Sequence, residues 1–399
     1  MRQIAPPGSY HDEREIEAVS ELLRSSHLQI GENVVAFEAA VAGLMAKQHG
    51  VMVNSGTSAL YMALDLLDLD PGDEIITSVL TFSADIAPMV RAGVVPVFVD
   101  VDETGYQIDV TRIEEMVGPR TRAILTPNLI GNCPDWDVIR DIADRHGLKV
   151  VEDTCDVLGD TFLRGTRTGT RADIGVTSFA VTHSITAAGG GGLIAFDDPE
   201  LHDRCLVKRR WGRRSERYLF GSKRGQSDRF SSTVDGLAYD NIFVFEEPLV
   251  WNFEPTELAA AFGRVQLEKL DEFNRRRRAN FARYDEWFME HEDQFVRPTT
   301  TPGVETTWML YPYILRPGSR LTRSETQELL EKQGVPTRVV WSGNITRQPG
   351  FANIERREPA DGFPNADRVM ESALMLPTHQ GLTDEDVDYV IDVLEQTLG

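Results

Sequence analysis

The sequence predicts an α/β protein with a mainly parallel sheet covered by helices on both faces, followed by a smaller α+β lobe. In its first half, short Val- and Ile-rich runs alternate with helical patterns of about ten to thirteen residues, which is typical of parallel strands joined by crossover helices. A long amphipathic pattern over 255–288 then leads into a region of mixed strand-like and helix-like runs.

The elements follow one another in a regular order. Two helices are expected over 13–26 and 33–46, and the strand–helix alternation follows them in a large domain that spans 1–250. An irregular segment at about 209–250 is too long for a simple connector, so we interpret it as a functional or interface loop. The second domain, 251–399, begins with the long helix and contains a strand at 309–315 and helices at 323–335 and 384–398.

Length, composition and charge narrow the function class. The chain has 399 residues, 41% of them hydrophobic, enough for a large core. No long apolar run and no secretory pattern occur, so we expect a cytoplasmic protein without a membrane partner. The net charge of −22 disfavours nucleic acid, and an anionic small molecule would need a local basic pocket.

Cysteine and lysine are scarce. Cys133, Cys155 and Cys205 lie far apart, with no metal-ligand spacing, so no metal is expected, and one chain cannot build a four-cysteine iron–sulfur cluster. There are only six lysines, which makes the search for a lysine that could bind a cofactor covalently short. They are Lys47, Lys149, Lys208, Lys223, Lys269 and Lys332.

One candidate site lies in the sequence NSGTSAL, where Ser55, Gly56 and Thr57 open a predicted helix. Free backbone amides and the positive end of the helix dipole can bind a phosphate there. A capping turn without a ligand explains the same residues equally well.

Acids and an aromatic residue follow other predicted strands. Glu152, Asp153 and Asp156 end a buried strand, and a carboxylate there can pair with a protonated pyridine nitrogen. A helix cap or a surface acid is the alternative, and it suits Glu152 better than Asp153. Phe82 follows another strand and could stack on a flat heterocycle, although an isolated Phe more often packs in a core.

Taken together, these segments resemble the DegT/DnrJ/StrS sugar aminotransferases over nearly the whole chain. The similarity lies in GENVVAFEAAV, VNSGTSALYMAL, LTFSADIAPMVRAGVVPVFVDVD, NLIGNCPDWDVIRDIADRHGLKVVEDTCDVLG, ADIGVTSF and WNFEPTELAAAFGRVQLEKL. The resemblance implies a fold-type I pyridoxal phosphate enzyme with a seven-stranded sheet, acting on a nucleotide-linked keto sugar.

The resemblance also implies a set of cofactor contacts: Gly56, Thr57, Phe82, Asp153, Asp156, Ser178 and Asn252. Gly56 and Thr57 would bind the phosphate with Ser178. Phe82 would stack on the ring and Asp153 would pair with its nitrogen. In the family, the asparagine matched by Asn252 reaches the phosphate from the neighbouring subunit, which implies a homodimer.

At the position of the family's cofactor-binding lysine, this sequence has His183. One branch with histidine there comprises the 3-dehydratases of 4-keto-6-deoxy nucleotide sugars, and EDTCDVLG and GVPTRVVWSGNITRQPGF are also similar to that branch. An imidazole cannot bind pyridoxal phosphate as a stable imine, but it can act as base and acid. The resemblance therefore implies that pyridoxamine phosphate is the working form, with His183 as the base that promotes loss of the C3 hydroxyl.

Other parts of the sequence bear on the amino donor, the substrate contacts and the type of reaction. The resemblance favours the branch without an iron–sulfur cluster, with L-glutamate as amino donor, but Ser184 replaces a second histidine usual there. Arg338, Asn344 and Arg347 are candidate substrate contacts, with a solvated surface cluster as the alternative. A sugar aminotransferase that tolerates histidine and a non-enzymatic sensor or scaffold are the competing hypotheses.

Overall fold

The computed structural model describes residues 2–25, 28–226, 230 and 232–398. The helices are α1 (Glu13–Ser25), α2 (Glu32–Leu44), α3 (Gly56–Leu66), α4 (Ser83–Ala92), α5 (Trp136–His146), α6 (Pro199–Arg209), α7 (Ser215–Leu219), α8 (Glu257–Glu290), α9 (Arg323–Lys332), α10 (Pro364–Ser372) and α11 (Asp384–Leu398). Among the described residues, no helix combines the length and apolarity needed to cross a bilayer.

The strands fall into one large and three small sheets. They are β1 (His49–Val53), β2 (Glu74–Ser78), β3 (Val95–Val99), β4 (Thr121–Pro127), β5 (Lys149–Asp153), β6 (Phe162–Leu163), β7 (Thr166–Arg167), β8 (Ile174–Ser178), β9 (Gly192–Phe196), β10 (Ser232–Val234), β11 (Leu237–Tyr239), β12 (Phe295–Val296), β13 (Val304–Glu305), β14 (Leu310–Leu315) and β15 (Ala373–Pro377).

The large sheet has seven strands in the order β1-β9-β8-β5-β4-β2-β3. Only β9 runs antiparallel to its neighbours β1 and β8, which confirms the predicted mainly parallel sheet. Every residue of β2, β3, β8 and β9 is buried, as expected for strands covered on both faces. The carboxyl ends of β1, β2, β5 and β8 therefore lie at the same edge of the sheet.

The helix starts have side-chain caps that the sequence supplies locally. Asp135 accepts hydrogen bonds from backbone amides at the start of α5, and Thr256 does so at the start of α8. Thr322 and Glu325 form a capping box at α9. These caps satisfy amides that would otherwise lack partners, which explains why the predicted helices begin where the structure has them.

The second lobe packs α8, α9 and α11 against a three-stranded antiparallel sheet in the order β12-β14-β15. Its core contains stacked aromatic rings, with 4.9 Å between the centroids of Phe288 and Tyr311. Ile4, from the start of the chain, is buried in the same core. The division into domains at 250 and 251 stays a prediction.

The segment expected to be irregular contains short α7 and the hairpin β10–β11. Helix α6, which precedes it, extends to Arg209. Residues 227–229 and 231 of the predicted loop, like residues 1 and 399 at the ends of the predicted domains, lie outside the described residues.

A buried ion pair fixes α6 to the sheet. The Arg209 guanidinium donates to Glu38 Oε1 at 2.7 Å and to the Met52 carbonyl at 2.9 Å. Glu38 also accepts a bond from the Met52 amide at 2.7 Å, and burial raises its pKa. Because Met52 belongs to β1, this pair also fixes the strand that leads into the predicted phosphate turn.

We expect Arg209→Met to lower the free energy of unfolding by about 3 kcal/mol or more, because it leaves the Glu38 carboxylate buried without its cation. Urea denaturation followed by circular dichroism measures this change. The double variant Glu38→Gln/Arg209→Met should recover part of the loss, since both charges are gone. A loss below about 1 kcal/mol in the single variant would contradict this assignment of the ion pair.

Candidate active site

A cavity of about 470 Å³ opens at the carboxyl edge of the large sheet. We call it the main cavity. Seven of the residues predicted from the sequence line it, namely Gly56, Thr57, Phe82, Asp153, Asp156, Ser178 and His183. They come from the ends of four strands and from the β8–β9 connection, so the fold brings them together although they span more than a hundred positions of the sequence.

The floor of the main cavity is formed by backbone segments in close contact. A Cβ at Gly56 would lie 2.7 Å from Ser178 Cβ, and one at Gly192 would lie 2.4 Å from the Ser55 carbonyl carbon. Only glycine permits such an approach. The start of α3 and the end of β8 thus form a cradle in which backbone amides and the Ser178 hydroxyl face the same space.

The start of α3 provides hydrogen-bond donors to this cradle. Ser55 caps the helix, accepting a bond from the Ser58 amide at 3.0 Å. The helix geometry gives the amides of Gly56 and Thr57 no partner within the helix. They are available to an anion at the positive end of the helix dipole.

Phe82 ends the β2–α4 turn and lines the main cavity with 58% of its surface exposed. Large aromatic side chains usually bury most of their surface. The Phe82 ring is therefore available to a flat ligand in the main cavity, and core packing does not account for its position.

Two carboxyl groups face each other inside the cavity wall. Asp153, the last residue of β5, accepts a bond from the Cys155 amide at 2.8 Å. Asp85 is fully buried, accepts a bond from the Thr81 hydroxyl and lies against Asp153. The pKa of Asp85 is raised well above its ordinary value, first by burial and then by the neighbouring Asp153 charge. The pKa of Asp153 is raised by burial. Asp85 therefore retains the proton more readily than Asp153.

Asp156 is held from two sides. Its Oδ2 accepts bonds from the Ile130 amide at 2.8 Å and from the Trp341 indole at 3.1 Å. Burial raises its pKa to about 7, although both hydrogen bonds favour the charged form. Its other oxygen lies 3.8 Å from His183 Nδ1. Asp156 is thus a fixed acceptor beside the histidine.

His183 lies in the β8–β9 connection, with 17% of its side chain exposed. Its Nδ1 is buried and has no hydrogen-bond partner among the described residues. Burial, followed by the nearby Arg277 cation, lowers its pKa to about 4. At neutral pH the imidazole is uncharged and has a nitrogen available to accept a proton.

The other predicted residues lie outside the main cavity. Asn252 is exposed and forms a backbone bridge with Arg210. Arg338 is exposed beside a second cavity, described below. Asn344 caps a short 3₁₀ turn and donates to Asp367 at 2.7 Å, and Arg347 pairs with the same carboxylate at 2.7 Å. Their roles toward a ligand stay predictions.

Three site residues escape the sequence reasoning. Asp85 is an acid in the first turn of a helix, a position that the helix dipole alone explains. Arg277 lies in a run of four arginines that has the appearance of a solvated face. Trp341 belongs to the segment GVPTRVVWSGNITRQPGF, but only the fold places its indole beside Asp156.

Comparisons with known proteins agree over nearly the whole chain. The model of the DegT/DnrJ/EryC1/StrS aminotransferase family matches residues 9–395. The lipopolysaccharide biosynthesis protein RfbH of Salmonella typhimurium is 32% identical over 407 residues, covering 99% of this chain and 92% of that protein. The dTDP-4-dehydro-2,6-dideoxy-D-glucose 3-dehydratase of Saccharopolyspora spinosa is 33% identical over 403 residues, covering 98% and 86%.

A solved structure has the same fold. The crystal structure of a GDP-4-keto-6-deoxymannose-3-dehydratase with a trapped PLP-glutamate geminal diamine superposes with a TM-score of 0.86. The two chains are 27% identical, and the match covers 98% of this chain and 100% of that one. The predicted fold class is confirmed.

We expect His183 to remain neutral down to a pH of about 4, because its burial and the Arg277 cation disfavour the charged form. Histidine-labelled protein without added cofactor, titrated by NMR, measures this value. His202, which is half-buried outside the main cavity and also has a lowered pKa, serves for comparison, and His183→Asn and His202→Asn assign the two signals. A midpoint near the ordinary value of about 6.5 for His183 would contradict the electrostatic description.

Proposed function

The chain belongs to the DegT/DnrJ/EryC1/StrS aminotransferase family, and on that premise we propose that it is a sugar 3-dehydratase dependent on pyridoxal or pyridoxamine phosphate. Its substrate is a nucleotide-linked 4-keto-6-deoxy sugar or a related sugar, which loses its C3 hydroxyl. The relative from Saccharopolyspora spinosa and the superposed structure both carry names of 3-dehydratases, which supports this reaction over transamination.

The observation that carries the proposal is the residue at position 183. His183 lines an otherwise complete cavity, and none of the six lysines of the sequence lines it. An aminotransferase of this fold needs a lysine amine that binds the cofactor covalently. A histidine in a complete cavity instead suits a reaction in which the cofactor stays free as an amine.

The cavity residues fit this cofactor. Glycine at position 56 lets the start of α3 approach Ser178 closely, so the free amides of α3 and the Ser178 hydroxyl can bind the same phosphate. The exposed Phe82 ring suits stacking on a pyridine ring. The Asp153 carboxylate can pair with a protonated ring nitrogen. The proton shared between Asp85 and Asp153 is compatible with a ring nitrogen at the same place.

When bound, the cofactor supplies an amine that condenses with the C4 ketone of the sugar and a ring that acts as an electron sink. The neutral imidazole of His183, which lines the main cavity, is the group that takes up a proton, so that electrons can leave with the C3 hydroxyl. Its buried Nδ1 faces Asp156. The neutral state of its imidazole at pH 7 is the state that such a base requires.

Neighbouring groups keep this base in position. Arg277 donates to the His183 carbonyl at 3.3 Å, and the His183 amide donates to the Ala180 carbonyl at 3.0 Å. Asp156 lies 3.8 Å from Nδ1. These groups fix the backbone on both sides of the imidazole and place a carboxyl group beside it that can stabilise the imidazolium once it forms.

L-Glutamate is the amino donor that regenerates the amine form of the cofactor. The support comes from the superposed dehydratase, whose structure contains a trapped PLP-glutamate geminal diamine. Reduction through an iron–sulfur cluster is disfavoured because the sequence has only three cysteines, fewer than one such cluster requires.

A homodimer and a cytoplasmic location belong to the same proposal. Large apolar side chains are exposed on the segment around Asn252, with 67% of Leu237, 58% of Phe245 and 76% of Leu249 accessible. In a chain with a net charge of −22, such a patch is expected to be covered by another protein surface. A second copy that covered it would bring Asn252 toward the neighbouring cradle.

We expect the protein, given pyridoxamine phosphate, L-glutamate and 4-keto-6-deoxy nucleotide sugars, to release a sugar without its C3 hydroxyl. His183→Asn should lower the rate by roughly 10²- to 10⁴-fold, the usual contribution of a general base. Mass spectrometry and NMR of the product measure the loss of the C3 hydroxyl and its rate. Treatment with borohydride should not fix pyridoxal phosphate covalently to any lysine.

The matched control is His202→Asn, which removes a half-buried histidine outside the main cavity and should keep the activity. An amino sugar that keeps its C3 hydroxyl would identify an aminotransferase instead. Unchanged deoxygenation by His183→Asn, or covalent fixation at a lysine, would contradict the proposal.

We expect the protein to sediment at twice the mass of one chain, and Leu249→Asp to weaken this dimer at least tenfold by placing a charge in an apolar contact. Analytical ultracentrifugation over a range of concentrations measures the dissociation constant. Met289→Asp changes another exposed apolar residue, on α8, and should leave the dimer intact. A single-chain species at micromolar concentration in the unmodified protein would contradict the dimer.

A further inference from the structure

A second cavity of about 200 Å³ adjoins the main cavity. We call it the side cavity. Thr182, Met309 and Trp341 line both spaces. The side cavity contains two arginines, Arg277 and Arg338, and no carboxylate among the described residues that line it. Its charge is therefore opposite to that of the main cavity.

Arg277 is the unusual member of this pair, since it is 2% exposed. Its guanidinium donates to Gln380 Oε1 at 2.9 Å and to the carbonyls of Met309 at 3.2 Å and His183 at 3.3 Å. These are three neutral acceptors for five N–H groups. No carboxylate among the described residues lies within 4.0 Å of this guanidinium or of Arg338.

A buried cation without an anion is costly. Burial lowers the pKa of Arg277 to about 10, which still leaves the guanidinium charged at neutral pH. Unpaired buried charges are rare because their desolvation is compensated only by a partner of opposite sign. The Asp156 charge opposes this shift, but no carboxylate of the described residues forms an ion pair with Arg277, so an anionic ligand in the side cavity would supply the missing direct partner.

The histidine of the side cavity already has hydrogen-bond partners. His379 Nε2 bonds to the Ala5 carbonyl at 2.9 Å, and its Nδ1 accepts from the Gly381 amide at 3.2 Å. Arg338 uses one N–H on the Thr337 carbonyl at 2.9 Å. The N–H groups that remain for a ligand therefore belong to the two arginines.

We propose that the side cavity binds a carboxylate of the amino donor, a dicarboxylic amino acid of the glutamate class, through Arg277 and Arg338. This inference rests on the proposed function, because it assigns the donor of that same reaction. The guanidinium fork matches a carboxylate in a bidentate geometry. A space of about 200 Å³ is smaller than the roughly 300–1,000 Å³ of pockets that enclose larger ligands, so it suits an amino-acid side chain and not a nucleotide.

The position of the side cavity also fits the separate binding of the amino donor and the sugar nucleotide. Because Arg277 bonds to the His183 backbone and the two cavities share a wall, a donor held in the side cavity can extend its amine toward the main cavity. The sugar nucleotide then uses the open mouth of the main cavity instead. Arg277 is thus a donor-binding residue that also positions the loop of His183.

The test measures binding of glutarate, an unreactive dicarboxylate, to the cofactor-loaded dimer by isothermal titration calorimetry. Arg277→Met should weaken binding by roughly thirtyfold or more, the usual effect of removing one partner of a buried charge pair. Arg338→Gln, on an exposed residue, should weaken it by a smaller factor without risk to folding. Both variants should raise KM for L-glutamate and leave KM for the sugar nucleotide unchanged.

Arg275→Met is the matched control, because Arg275 is exposed on the same helix and should bind glutarate like the unmodified protein. Unchanged glutarate binding in both Arg277→Met and Arg338→Gln, or a higher KM for the sugar nucleotide alone, would overturn the assignment. If the unmodified protein converted no sugar yet bound glutarate through these arginines, the proposed function would fail while the carboxylate site would stand.

Discussion

Buried negative charge is the constraint on which this site depends. Asp85, Asp153 and Asp156 are each at most 8% exposed, and no arginine or lysine lines the cavity that they share. Backbone amides, the Trp341 indole and shared protons stabilise them only in part. A ligand with a protonated or cationic group would relieve this charge, and the parallel strands that end there determine where the acids lie.

The two adjoining cavities divide charge between them. The main cavity combines acids with a neutral His183, whereas the side cavity provides arginines without acids. Thr182 lines both cavities, and Arg277 holds the neighbouring His183 by its backbone. Burial and the Arg277 cation together keep the histidine neutral.

The sequence alone supports most of the scaffold and about half of the site. Hydrophobic alternation with caps such as Thr322 predicts the strands and helices, because these depend on local pattern. Asp85 and Arg277 could not be predicted, because only the tertiary fold shows that they are buried and what they contact. The sequence also does not reveal that the Asn344 side chain caps a turn, because that role depends on the conformation of its neighbours.

The placement of the lysines has a consequence for how the protein keeps its cofactor. Three lysines are buried and paired with acids, namely Lys47, Lys208 and Lys269. Three are exposed, namely Lys149, Lys223 and Lys332. Without a covalent bond, occupancy follows the ratio of free cofactor to its dissociation constant. Under the proposed function, the cofactor is therefore retained only by its non-covalent contacts with the cavity residues.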